Sequence, residues 1–270
     1  MKPQTIASLI SLVVIVVVTG RESATAQPQA STGNAPPKPV LVELFTSEGC
    51  SSCPPADTLL QQLVVHQPIP AAEIIAFEEH VDYWNHDGWV DPYSSSEWTQ
   101  RQQDYVALHK KDPYTPEMVV DGESQFLGSD PREAALEIEK AAHETGTEVA
   151  ITPAASDGKG AVRFNVSVGK LEPNGAGDNA EVWLAVTEDG LRSSVRGGEN
   201  SGRTLTHVAT LRTLRKIGVA NGNATPASFT GSTEVKLNSH WKHENLHVTV
   251  FVQRKKSRQV LGMASVKISG

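Results

Sequence analysis

Only two cysteines occur in this chain, three positions apart in Cys50-Ser51-Ser52-Cys53, and their surroundings restrict what can form there. Residues 40–45, Val-Leu-Val-Glu-Leu-Phe, are a mostly apolar run suited to a buried strand; residues 46–49 break it, and Pro54 onward is helix-forming. The segment reads as strand, turn, helix. Cys50 then falls at or just before the helix start, where free backbone N–H groups and the positive end of the helix dipole favour a thiolate. Cys50 is the expected nucleophile. Cys53, about one turn on, is placed to close a small disulfide ring and release a mixed-disulfide partner, so it is the expected resolving thiol.

The start of the chain bears on the same pair. Lys2 precedes an apolar run over residues 6–18, followed by Ala24-Thr25-Ala26 before Gln27. This reads as a secretory signal over 1–26, the run being short for a membrane span. Residues 27–39, rich in Pro, Ala, Gln, Ser and Gly, read as a flexible leader. The formal net charge of −7 includes no basic block, so neither nucleic acid nor an anionic lipid surface is an expected partner. An exported pair meets an oxidising compartment, where a structural staple is the plain alternative to a redox centre. Against the staple, so small a ring removes little unfolded-state entropy, and a chain this long buries a core without it.

Further along, Leu59, Leu60, Leu63 and Val64 recur at helical spacing over residues 56–66, and residues 73–81 read as a second strand. The stretch Glu79-His80-Val81-Asp82-Tyr83-Trp84-Asn85-His86-Asp87-Gly88-Trp89-Val90-Asp91-Pro92 reads as an irregular loop from Asn85, with a helix over 95–109 capped by Ser94 and Glu97. His80, Asp82, His86, Asp87 and Asp91 are of metal-ligating type, but their spacing matches no ligand motif, so no metal is expected. His80 or Asp82 instead adjusts a thiol or relays a proton, with Glu43 and Glu48 competing for that role. Asp130 and Pro131 open a further helix carrying Ala134, Ala135, Leu136, Ile138 and Ala141.

From about residue 147 the pattern becomes β-rich. Runs at 148–152, 161–168, 181–187, 203–214, 233–237, 246–253 and 260–268 are separated by turns such as Ser156-Asp157-Gly158, Pro173-Asn174-Gly175 and Asn221-Gly222-Asn223. Val162, Phe164, Val166 and Val168 alternate with polar residues, as do Val248, Val250 and Val252, giving each strand one buried face. About seven such strands suggest a β-sandwich. His240, His243 and His247 read as surface residues, and Arg203 and His207 as sandwich-strand or interface residues.

Phe45-Thr46-Ser47-Glu48-Gly49-Cys50-Ser51-Ser52-Cys53 resembles the redox corner of glutaredoxins and, more loosely, of thioredoxins. Tyr114-Thr115-Pro116-Glu117-Met118-Val119-Val120-Asp121-Gly122 resembles the Thr-Pro segment, strand and Gly turn of the same superfamily, and Gly128-Ser129-Asp130 its glutathione-side turn. The resemblance implies a cis Pro116 facing the disulfide, with Thr115 presenting backbone groups to an extended partner. It also implies that the end of the second strand, and the loop after it, lie near the disulfide. The match departs from the pattern in lacking an aromatic residue before Cys50 and any Lys or Arg near it, so glutathione specificity is not implied. With the His-Val-Asp-Tyr-Trp loop and Glu199-Asn200-Ser201-Gly202-Arg203-Thr204-Leu205-Thr206-His207-Val208, the chain resembles an exported thioredoxin-like domain-of-unknown-function family of bacteria and plants.

The resulting expectation is an α/β thioredoxin-like domain with a loop-helix insert over 40–146, followed by an all-β sandwich-like domain over 147–270. Cys50 and Cys53 carry the chemistry, Thr115 and Pro116 bind substrate, and Glu48, His80, Asp82 and Trp84 wall the site. No cofactor is expected. The partner is a protein or small-molecule thiol or disulfide, met in the periplasm or outside a bacterial cell, with no stable membrane insertion once the signal is cleaved. The rival expectation is a non-catalytic binding protein with a permanent disulfide, and behind it a metal-binding protein.

Overall fold

The computed structural model describes residues 36–86, 88–154, 160–171, 178–221 and 228–268. The expected signal segment, the leader up to residue 35, Asp87, the turns at 156–158 and 173–175, and Gly222-Asn223 lie outside the described residues.

The chain begins with β1 (Lys38–Thr46), α1 (Pro54–His66), β2 (Ala72–His80), α2 (Ser96–His109), β3 (Glu117–Val120), β4 (Ser124–Leu127) and α3 (Pro131–Ala142). Strands follow: β5 (Val149–Ala154), β6 (Ala161–Val168), β7 (Ala180–Glu188), β8 (Leu191–Ser194), β9 (Thr204–His207), β10 (Thr210–Ala220), β11 (Phe229–Lys236), β12 (Leu246–Arg254) and β13 (Val260–Lys267). The local causes are visible in the sequence. Helix α1 starts on Pro54 and Pro55 and buries Ala56, Asp57, Leu60 and Leu63 along one stripe. Its end is latched to β2 by Gln67, whose side chain both donates to Ile74 O and accepts from Ile74 N. Helix α2 is capped by Ser95, which accepts from Glu97 N, and α3 by Asp130, which accepts from Arg132 N and Glu133 N.

The expected fold class does not hold. Strands account for 43% and helices for 19%, so the protein is mostly β, not an α/β thioredoxin-like fold followed by a sandwich. Eight strands form one mixed sheet in the order β13-β12-β7-β10-β2-β1-β3-β4, which takes strands from both sides of residue 147. The physical reason is the outer edge of β2. Instead of ending the sheet, it accepts β10 in parallel at Glu78 and Thr210, with Glu78 N donating to Ala209 O at 2.9 Å. An unpaired strand edge is a row of unsatisfied donors and acceptors, and β10 satisfies it.

The sheet curls, so β13 at one edge returns beside the β1–β3 end: Val260 N donates to Asp121 O, and Asp121 N to Leu41 O. Inside the curl, Leu41, Phe77, Trp98, Ala185, Leu211, Phe251, Val260 and Met263 form one core drawn from the whole length of the chain. Gly262 sits at the closure, where an added Cβ would lie 1.9 Å from Thr147 O. On the opposite face of β1, Val40, Val42 and Leu44 pack against α1 and α3. A second sheet, β11-β6-β5, covers the β7–β12 region through Phe164, Val166 and Val168, which are buried as their alternation predicts. The run expected over 203–214 is two strands, β9 and β10, broken at Ala209, which takes a positive φ of 48°. Among the described residues no helix is long and apolar enough to cross a membrane.

Candidate functional site

The turn between β1 and α1 holds a Cys50–Cys53 disulfide with the Cα atoms 5.5 Å apart. Cys50 N donates to Ser47 O and Cys53 N to Cys50 O, so the four residues form a tight turn ahead of the helix. Cys53 is the N-cap of α1. Pro54 and Pro55 have no N–H, and the next two amides, Ala56 N and Asp57 N, both donate to Cys53 O. The expected free helix amides around Cys50 are therefore absent. The polar group at its sulfur is the Ser52 hydroxyl, with Oγ 3.3 Å from Cys50 Sγ.

The sulfurs are not presented to solvent as expected. Cys50 and Cys53 are both 0% exposed, while Ser51 and Ser52 between them are exposed. The cover comes from the loop between β8 and β9. Glu199 accepts a hydrogen bond from Ser51 N at 2.9 Å, and the buried Asn200 Nδ2 donates to both Glu48 O and Cys50 O. Arg203 Nη1 holds the Asn200 amide oxygen at 3.0 Å. On the other flank Trp84 lies against Gly49, where an added Cβ would stand 3.0 Å from Trp84 Cβ, and Trp84 Nε1 donates to Thr115 Oγ1 at 2.8 Å. The Thr115–Pro116 bond is cis, Ser52 Oγ reaches Thr115 O at 3.5 Å, and Gly128 N donates to Pro116 O. Cys50, Cys53, Trp84, Thr115 and Pro116 thus converge on one turn.

Beneath that turn lies a buried chain of ionisable groups. Glu48 Oε2 accepts from Trp89 Nε1, and Glu48 Oε1 is 3.0 Å from His207 Nε2. His207 Nδ1 is 3.1 Å from Glu78 Oε1, and Thr210 Oγ1 donates to Glu78 Oε2. His80 Nδ1 is 2.7 Å from Asp91 Oδ2, which also accepts from Glu48 N. Burial alone disfavours charge on these groups, yet their mutual attraction outweighs it. The charge of Glu78, with hydrogen bonds that His207 donates to Glu48 and Glu78, lifts His207 to about 9, while His207 holds Glu78 down at about 2. Asp91 raises His80 well above the ordinary imidazole range and is itself held low. Asp57, one helical turn beyond Cys53, goes the other way. Burial, then the charge of Glu78, push it up to about 7 despite a hydrogen bond from Thr46.

Glu48 and His80 therefore sit behind the cysteine turn rather than on an open wall, and Asp82 is not at the turn. Its carboxylate accepts from Thr99 Oγ1 on α2. His86 stacks on Trp84, Asp87 lies outside the described residues, and His80 meets Asp91. Glu43 belongs to a separate buried cluster with Arg101 and Tyr105. Sequence reasoning assigns no site role to Asp57, Glu78, Glu199, Asn200 or His207, although the 199–208 run carries part of the family resemblance. Asp57 had a usable signal, an acid at i+4 from Cys53 inside an otherwise apolar helix face. Glu78, Glu199 and Asn200 meet their partners across some 130–150 residues of chain, and no local pattern carries that.

Comparison with curated proteins yields no match. Among solved structures, protein AGR_C_4864 from Agrobacterium tumefaciens is similar with a TM-score of 0.65 at 23% identity, over 87% of this chain and 96% of its own. HBP35 of Porphyromonas gingivalis is similar with a TM-score of 0.61 at 16% identity, over 87% of this chain and 76% of its own. At these identities the likeness concerns the fold alone. Residues 41–253 match the family described as "Protein of unknown function (DUF1223)", and the chain belongs to that family.

Proposed function

We propose that Cys50 and Cys53 exchange bonds with a thiol or disulfide partner, so that the protein acts as a thiol-disulfide oxidoreductase. The observation that carries this reading is the bridged pair at the mouth of α1, next to the cis Thr115–Pro116 peptide and above a buried set of proton-holding groups. In the oxidising direction a partner thiolate attacks Cys50 Sγ. A partner–Cys50 disulfide forms, the Cys50–Cys53 bond breaks, and Cys53 leaves as a thiolate that takes up one proton. A second partner thiol then attacks the partner sulfur of the mixed disulfide and releases Cys50. The partner leaves oxidised by two electrons and the pair is reduced by two. Asp57, one turn from Cys53 and pushed up to about 7, is the proton carrier in this scheme. Ser52 supplies the hydroxyl that steadies charge on Cys50. The N-terminal signal pattern supports export, and hence the bridged form as the resting form.

Full burial of both cysteines favours a second reading, a binding protein with a permanent bridge. Insulin reduction and dithiol oxidation by the full chain, beside Cys50→Ser, separate the two. Turnover that requires Cys50 supports exchange, and a folded protein without it supports the binding reading.

A further inference from the structure

We propose that Glu78, His80 and His207 form a binding site for one divalent first-row transition ion, independent of the cysteine pair. Their ligand atoms all lie within 4.8 Å of one another, and all three residues are buried. The observation that points to a ligand is His80 Nε2. It is buried, makes no hydrogen bond, and stands 3.7 Å from Glu78 Oε2. On the other side His207 Nδ1 is 3.1 Å from Glu78 Oε1. Two ligand atoms bound at 2.0–2.2 Å to one ion at a tetrahedral angle stand about 3.3–3.6 Å apart. These separations fall on either side of that range but run to different oxygens of the Glu78 carboxylate, and with one ligand atom from each residue within 4.8 Å of the others, the three side chains would have to close inward on an ion.

The surroundings are those of a ligand set. A metal-bound histidine ordinarily gives its other nitrogen to a carboxylate, which fixes ring and tautomer. Both histidines do so here: His80 Nδ1 on Asp91 and His207 Nε2 on Glu48. Those carboxylates are anchored in turn, Asp91 by Glu48 N and Tyr93 N, and Glu48 by Trp89 Nε1. Glu78 is steadied by the Thr210 hydroxyl. Tyr93 packs edge-on against both imidazoles at 5.4 Å. Two nitrogens and one carboxylate suit zinc, iron(II) or cobalt(II) better than calcium or magnesium, which prefer oxygen. The chamber also gathers four carboxyl groups, Glu48, Asp57, Glu78 and Asp91, around two imidazoles.

The test uses the full, disulfide-intact chain, so that no cysteine sulfur is free to ligate. Because the site is enclosed, chelator-treated protein is refolded from denaturant with and without Co²⁺, and bound metal, visible absorption and thermal midpoint are measured. The expected result is about one Co²⁺ per chain with d–d bands, no thiolate charge-transfer band and a raised midpoint. His80→Gln then abolishes uptake, and Asp91→Asn weakens it by about 10–100-fold. Wild-type protein that binds under a tenth of an equivalent, with its midpoint unmoved, overturns the proposal, as does equal uptake by both variants. If His80→Gln does not refold, Asp91→Asn with the wild-type uptake decides.

Discussion

The side-chain amide of Asn200 donates to the carbonyl of Cys50 at 2.8 Å and to that of Glu48 at 2.9 Å, from a loop 150 residues further along the chain. This contact pins the cysteine turn under its cover, so access to Cys50 Sγ requires that it open. Asn200→Ala should accelerate reduction of the disulfide by an external dithiol about tenfold or more. It should also lower stability by about 1–3 kcal/mol, because buried acceptors lose their donor. Reduction kinetics and urea unfolding of both proteins check this, and an unchanged reduction rate would show that the loop is no barrier.

Asp57→Asn removes the proton carrier assigned to Cys53 while keeping an oxygen to accept from Thr46. General acid-base catalysis contributes about 10²–10⁴-fold where it operates. Turnover of a dithiol substrate should fall by about 10²-fold, with alkylation of reduced Cys50 unchanged. An equal fall in both rates would assign Asp57 to structure alone.

The curled sheet encloses a second ionic cluster. Arg101 Nε donates to Glu43 Oε1 at 2.5 Å and lies 3.5 Å from Glu79 Oε1, while Tyr105 OH donates to Glu43 Oε2. Burial, then the charge of the adjacent Glu43, raise Glu79 well above the ordinary carboxylate range. Removing one partner of a buried pair is far more damaging than replacing the whole pair. Arg101→Met should therefore destabilise by about 3–5 kcal/mol in urea unfolding, and Arg101→Met with Glu43→Gln by less.

Asp121 sets a pH dependence. Burial raises its pKa from 3.8 to about 7, against the hydrogen bond from Leu41 N and the charge of Lys38. The fold therefore favours the protonated acid. Its contribution is complete below the unfolded value and is lost as pH rises through about 7. Relative to Asp121→Asn, the wild type should lose stability between pH 4 and pH 8, by an amount on the order of a few kcal/mol. Unfolding free energies at both ends of that window check it. A difference that stays flat, or that grows in favour of the wild type, contradicts the assignment.

Individual elements were legible where they carry a local cause, such as Pro54 at the start of α1, Asp130 capping α3 and the alternation of Phe164, Val166 and Val168 in β6. The fold class was not. Nothing local in β2 says that Glu78 will pair with Thr210 rather than end a sheet, and that single non-local choice merges the two halves. The same limit applies to the site. The cysteine turn and Thr115–Pro116 were readable as short motifs. His207 reads as an ordinary strand residue until β9 is laid beside Glu48 and Glu78. The burial of the cysteines was illegible for the same reason, since Glu199 and Asn200 reach them only through the fold.

The reduction potential of the Cys50–Cys53 pair, obtained by equilibrating the full chain against a graded dithiol buffer, tests the exchange reading most directly. A pair built to trade bonds should titrate above about −300 mV. A value below about −300 mV would mark the bridge as a permanent staple and contradict the account.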